Sequence, residues 1–138
     1  MLENKALKPQ LYSEGLGGQH APIPVLHGGR CRCGYIFFPM QTYGCERCGR
    51  YGDALTPYAL VARGTALAAA TVHIHADKNR PAPFTIVKIA LDDGPVIRTL
   101  LAEHSAAVSP GQHMIAKLVP VRHSETSETL LDLRFCAA

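Results

Sequence analysis

The chain has 138 residues, of which 47% are hydrophobic and 18% are charged, and its formal net charge is +3. This composition excludes a disordered chain, the small charge gives no electrostatic argument for nucleic acid, and no apolar run approaches the ~20 residues of a membrane-spanning helix. The 10 prolines, 12 glycines and 7% aromatic residues favour short strands and turns over long helices.

Residues 1–27 are predicted to form a short helix followed by an extended arm. Leu2, Ala6 and Leu7 are spaced for one face of a helix, which Pro9 would end. The first ten residues lack an apolar core, so we expect no secretory signal and a cytoplasmic location. In a reducing compartment, clustered cysteines usually bind metal instead of forming disulfides.

The apolar side chains of the arm have little to pack on within a monomer. They are Leu11, Tyr12, Leu16, Ile23, Val25 and Leu26. Left exposed, they would form an unusually apolar surface, so we expect several of them to be buried against a partner protein.

Residues 28–56 contain four cysteines in two close pairs, Cys31 with Cys33 and Cys45 with Cys48. Each pair is followed by a glycine, which allows the tight turn that points backbone N–H groups at thiolate sulfurs. Four thiolates suit Zn(II) and leave no open coordination position, so we expect a structural zinc in a rubredoxin-like zinc ribbon. Zinc binding can contribute ~10–16 kcal/mol to the folding of such a small module.

Three alternatives stay open for these cysteines. The Cys-x-Cys spacing of the first pair departs from the usual Cys-x-x-Cys, so His27 or a water can take the place of one ligand. Iron in place of zinc would make the module a rubredoxin-like electron carrier. The third alternative is a set of reduced cysteines without metal.

Four arginines lie close to the cysteines: Arg30, Arg32, Arg47 and Arg50. Guanidinium groups suit phosphate oxygens, so these residues are candidates for contacts with the phosphates of a cofactor, with a partner protein or with nucleic acid. Basic and acidic residues nearly balance, six against four in residues 1–57 and eight against seven in residues 58–138. This balance favours a solvated or partner-facing surface over nucleic acid.

Residues 57–138 are predicted to form the strands of a small barrel. The predicted strands are Tyr58–His75, with a bend or bulge at Gly64, then Phe84–Leu91, Val96–Leu101, His113–Val121 and Leu130–Phe135. A hairpin is expected at residues 92–95. Five strands at this spacing fit the partly open OB barrel. The predicted fold class is therefore mainly β, with a zinc ribbon followed by a five-stranded OB-fold barrel.

No catalytic residue is predicted, because the sequence has no glycine-rich phosphate loop, no Ser/His/Asp order and no paired carboxylates at a plausible site. The barrel also lacks the exposed aromatic residues of a base-stacking face, and Phe84 and Phe135 are better core candidates. A nucleic-acid-binding ribbon/OB module is kept as the alternative function.

The order of short helix, zinc ribbon and OB barrel resembles the thiolase-associated zinc-ribbon/OB-fold family, whose members are acyl-CoA-associated OB-fold proteins. The resemblance covers most of the chain. It is carried by Cys31-Arg32-Cys33-Gly34, Phe38-Pro39, Cys45-Glu46-Arg47-Cys48-Gly49, Gly64-Thr65, Thr71-Val72-His73, Pro83-Phe84, Ile86-Val87, Asp93-Gly94 and Gly111.

The resemblance implies an accessory subunit that is not an enzyme by itself. It implies that the catalytic residues of the complex, an acyltransferase of the thiolase type, lie on a thiolase-fold partner chain in a hetero-oligomer. Acyl-CoA or CoA would lie near the interface between the two chains, where Arg30, Arg32, Arg47 and Arg50 could contact the CoA phosphates or the partner. The chain would then assist CoA-dependent C–C cleavage without performing it.

Overall fold

The computed structural model describes residues 5–14, 23–73, 83–103, 107–122 and 128–138, and the regular secondary structure within these ranges is β-structure apart from one 3-10 turn. The elements are β1 (Tyr12–Ser13), β2 (Val25–Cys31), β3 (Ile36–Phe37), a 3-10 turn (Gly52–Ala54), β4 (Leu55–Val61), β5 (Arg63–Val72), β6 (Phe84–Leu91), β7 (Val96–Leu100), β8 (His113–Arg122) and β9 (Thr129–Ala137). Within these ranges, no helix has the length and apolar character needed to cross a bilayer.

The larger sheet is five-stranded and antiparallel, in the order β7-β6-β5-β8-β9. A parallel bridge between Leu101 and Phe135 joins the end of β7 to β9, so the sheet curls towards a barrel. The hairpin between β6 and β7 forms where predicted, with Gly94 at φ 120° and its N–H bonded to the Leu91 carbonyl at 2.9 Å. This arrangement confirms the predicted OB-type barrel.

The smaller sheet is built around β2, which pairs with β1, β3 and β4. The predicted single strand Tyr58–His75 is wrong, because buried Ala62 separates β4, in this sheet, from β5, in the barrel. Residues 74 and 75 lie outside the described ranges. The domain boundary expected at residue 57 falls inside β4, and the division into three domains stays a prediction.

Gly64 is required by close packing and not by a bulge. A Cβ at this position would overlap the carbonyl oxygen of Ala90 on β6. The bulge of β5 lies further along, where the register with β6 shifts between Ala66 and Ala68. The predicted irregularity in this strand is therefore present, but it lies between Ala66 and Ala68 and not at Gly64.

The N-terminal helix is absent from residues 5–14, where the prediction is wrong; residues 1–4 and 15–22 lie outside the described ranges. Residues 5–13, which we call the strap, extend both sheets instead. Ala6 pairs in parallel with Leu131 of β9, and the Leu7 N–H donates to the Leu131 carbonyl at 2.8 Å. The Tyr12 hydroxyl donates to the same carbonyl at 2.8 Å. Hydrogen bonds to β9 thus replace those of a helix.

The strap and β2 pack on the chain's own core, so the prediction that this arm needs a partner is wrong for its described residues. Tyr12 and Leu26 are buried in one cluster with Val87 and Phe135 of the barrel. Leu11 and Ile23 pack against that cluster, and Leu16 lies outside the described ranges. The two sheets therefore share one apolar interior, which fixes the position of the cysteine ribbon beside the barrel.

Candidate metal centre

Two tight turns carry the four cysteines. Cys31 ends β2 and Cys33 follows in the turn to β3, where the Gly34 N–H donates to the Cys31 carbonyl at 2.9 Å. The second turn is one residue longer, and in it the Gly49 N–H donates to the Cys45 carbonyl at 2.9 Å. Both glycines have positive φ, 97° and 81°, a conformation that other residues adopt at a cost.

The four sulfur atoms all lie within 4.8 Å of one another. The Cys31 and Cys48 sulfurs are 3.5 Å apart, and those of Cys33 and Cys45 are 3.8 Å apart. A tetrahedral zinc with Zn–S bonds of about 2.3 Å requires sulfur–sulfur separations of about 3.8 Å. The donor set and its spacing therefore fit Zn(II), and the Cys-x-Cys pair reaches the cluster without difficulty.

His27, the alternative ligand, is engaged elsewhere. Its Nε2 lies 3.0 Å from the hydroxyl oxygen of Ser13, across the β1–β2 pair. Its backbone N–H donates to the Leu11 carbonyl, and its carbonyl accepts from Met40. The histidine therefore joins the strap to the ribbon, while the cysteines form a four-sulfur group of their own.

Backbone N–H groups tune the cysteines for metal binding. The N–H of Arg50 donates to the Cys48 sulfur and, together with hydrogen bonds from the Arg50, Cys31 and Cys33 side chains, lowers the pKa of that thiol to about 6. At Cys31 the Cys33 N–H acts in the same direction, but burial and the neighbouring cysteine sulfurs outweigh it and raise the pKa to about 11. Without metal, the cluster therefore presents a thiolate at Cys48 near neutral pH, and thiolates are the form that binds zinc.

The apolar packing around the cysteines is small. Cys31 and Cys45 are buried together with Phe37 and Leu55, and Met40 packs against them. Gly29 allows this approach, because a Cβ there would overlap the Phe37 ring. Sequence reasoning did not single out this glycine, although consecutive glycines within a strand are a signal of close backbone approach.

The four candidate arginines all have exposed side chains. Arg30 lies on β2, Arg32 on the first turn, and Arg47 and Arg50 on the second. A hydrogen bond to the Cys48 sulfur raises the pKa of Arg50, so one of these cations already interacts with the cluster. Their contacts with CoA phosphates or a partner stay predictions.

Two tyrosines flank the second turn and were missed by sequence reasoning. Tyr43 is 86% exposed and Tyr51 is 76% exposed, the highest values among the described large hydrophobic residues. The sequence places them just before Cys45 and just after Arg50, and tyrosine near arginine is typical of protein interfaces, so these positions could have indicated an exposed contact surface. The ribbon therefore presents an aromatic and basic surface around a sulfur cluster.

Comparison with known proteins shows the fold. No protein-family model matches the sequence, and none of the curated proteins matches it. A chain of the solved structure named "Ltp2-ChsH2(DUF35) aldolase" matches with a TM-score of 0.59 at 17% identity, covering 79% of this chain and 83% of that chain. At this identity the likeness establishes a shared fold over most of both chains.

Proposed function

We propose that this chain belongs to the thiolase-associated zinc-ribbon/OB-fold family and is a non-catalytic, zinc-binding subunit of a cytoplasmic thiolase complex. The observation that carries the proposal is the four-cysteine cluster on a ribbon whose sheet shares its core with an OB-type barrel. The structural neighbour has this fold, and its name joins a DUF35 component with Ltp2 in an aldolase. The proposed partner here is a thiolase-fold catalytic chain.

The chemistry of the cluster supports a structural metal. Four cysteine ligands complete the coordination of zinc and leave no position for substrate. Of the described residues, Asp132 is the buried carboxylate, and it pairs with the Arg134 guanidinium at 3.2 Å while Tyr12 lies 3.4 Å away. These contacts hold the strap to β9 and need no catalytic role.

The exposed arginines give the proposal its link to acyl-CoA. Arg32, Arg47 and Arg50 lie on the two metal-binding turns, where guanidinium groups can meet the phosphates of CoA held by the partner. The reaction on the partner would be CoA-dependent C–C cleavage. The zinc ribbon would act as a rigid platform at the CoA entrance.

Within the family we assign the chain to the small subunit of benzoylsuccinyl-CoA thiolase, from the anaerobic degradation of toluene. The assignment rests on sequence resemblance in the segment Tyr43-Gly44-Cys45. Thiolysis of benzoylsuccinyl-CoA by the purified complex, compared with acetoacetyl-CoA, tests this choice. Turnover of acetoacetyl-CoA alone would contradict it.

The test of the subunit role is gentle affinity purification of the tagged full chain, followed by mass spectrometry and metal analysis. We expect a thiolase-fold chain to copurify and one zinc per copy of this chain. Recovery of no thiolase-fold chain would refute the partnership. Iron with a red colour would instead indicate the rubredoxin-like electron carrier.

The alternative function is nucleic-acid binding by the ribbon/OB module. One structural observation favours it: Tyr43 and Tyr51 are exposed beside Arg47 and Arg50, and single-stranded nucleic acids bind to aromatic and basic surfaces. It predicts binding to a single-stranded oligonucleotide that weakens steeply with salt. A flat titration at low salt would eliminate it.

A further inference from the structure

The described strand edges differ in how well they are protected from pairing with another chain. The strap covers β9, where Ala6 pairs with Leu131. The outer strand β7 carries the exposed charge of Arg98, and β4 contains Pro57. Charges, prolines and covering segments are the usual devices that block unwanted strand pairing.

The second half of β5 has none of these devices. The strand pairs with β8 only over Arg63–Thr65. The backbone of Ala66 then bonds to Gly111 and Gln112, just before β8 begins. From Ala68 to Val72 it pairs regularly with β6 on one side. On the other side, no backbone hydrogen bond from a described residue reaches residues 67–72.

The same segment is exposed and uncharged. Residues 67–71 are all exposed, so both faces of the strand as well as its edge meet solvent, and Leu67 is 42% exposed. Its sequence, Leu-Ala-Ala-Ala-Thr-Val, contains no charge and no proline. A regular apolar edge of this kind is a template for strand addition.

We propose that the edge of residues 67–72 pairs in antiparallel fashion with the same edge of a second copy of this chain. An identical segment matches it in length, neutrality and side-chain size. About a two-fold axis through a facing pair of Ala69 residues, Leu67 would face Thr71 of the other copy, and no like charges would be opposed. This dimer contact is independent of the proposed thiolase partner and goes beyond it.

The bulge of β5 marks where this edge begins. It lies between Ala66 and Ala68, where pairing with β8 ends and the exposed half of the strand begins. A bulge redirects a strand and increases its twist. Beyond the bulge, from Ala68 to Val72, the pairing with β6 is regular and no described strand continues the pairing on the other side.

The test is light scattering with size exclusion on the zinc-loaded full chain over a wide concentration range. We expect the wild type to have twice the chain mass, and Ala69→Lys to raise the dimer Kd by about tenfold or more, because the axis brings two lysines together. Val96→Lys is the matched control, since Val96 is 51% exposed on another strand, and we expect it to dimerise normally.

Amide hydrogen exchange adds a readout at the edge itself, with protection of residues 67–72 that increases with protein concentration. If Ala69→Lys fails to fold, Thr71→Lys at another exposed position replaces it. A wild type that is monomeric throughout, or a dimer that loses stability equally in both lysine variants, overturns the proposal. Protection that arises only in the complex with the catalytic chain would overturn it as well.

Discussion

Removal of the metal from the full chain tests what holds the ribbon together. We expect residues 32–54 to unfold locally while the barrel keeps its structure. The segment is joined to β2 and β4 at its two ends and pairs with β2 through β3, and the two cysteine turns depend on the cluster of four sulfurs. The perturbation is therefore confined to one part of the molecule.

The magnitude follows from the small apolar cluster of the ribbon. Its buried members are Cys31, Phe37, Cys45 and Leu55, so only two are not candidate ligands. Burial of two large apolar side chains contributes ~3–6 kcal/mol. A structural zinc contributes ~10–16 kcal/mol, so most of the local stability is lost with the metal. The barrel retains its own cluster, which includes Ile89 and Phe135.

The assay is amide hydrogen exchange with mass spectrometry before and after chelation, with zinc release verified on the intact protein. Peptides from the ribbon should exchange fast after chelation, whereas peptides from β6 and β8 should stay protected. Cys45→Ser should reproduce the effect. Cys136→Ser is the matched control, because Cys136 lies on β9 and bonds to the Ile115 carbonyl. A zinc-free chain with an unchanged, protected ribbon would refute the reasoning.

Three further predictions concern packing, the strap and pH. Gly64→Ala should lower the free energy of unfolding by ~1–3 kcal/mol in denaturant titrations, because the new methyl overlaps the backbone of β6. Gly44→Ala is the control and should have almost no effect, because nothing lies near its Cβ. Equal unfolding midpoints for the two variants would contradict this prediction. Tyr12→Phe should cost ~0.5–1.5 kcal/mol through loss of the hydroxyl bond to β9, while Tyr43→Phe, at an exposed position, should be neutral. Hydrogen bonds lower the pKa of Cys48 to about 6, so below this pH zinc must displace one more proton, that of Cys48, in order to bind. Zinc affinity, measured by competition with a chromophoric chelator, should therefore fall more steeply with decreasing pH below 6 than above it. A constant slope through this range would contradict that assignment.

The predicted features that proved correct depend on local signals. The strand Phe84–Leu91 and the turn after it coincide with β6 and its hairpin, because both follow from alternating apolar residues and a glycine with positive φ. The cysteines also come together through short turns within one segment. Close spacing in sequence was therefore sufficient to bring the sulfurs into one group.

The failures have non-local causes. Ala6 and Leu7 have helical spacing, but their backbone groups bond to Leu131 at the far end of the chain. The strand break at Ala62 arises because β4 pairs with β2, a choice that the sequence of β4 does not reveal. Tyr12 is buried by residues of the barrel, so the apolar arm needed no partner. Contacts of this range leave no periodic pattern in a single sequence.

The single residue between β4 and β5 has a consequence for anyone who wishes to produce half of this molecule. A fragment that starts at residue 57 would lack Tyr12 and Leu26, and the buried cluster that they share with Val87 would be opened to water. A fragment that stops before Ala62 would expose Leu60 in the same way. Each fragment would thus expose part of the shared apolar core, and we expect the ribbon and the barrel to fold and to be purified only as one chain.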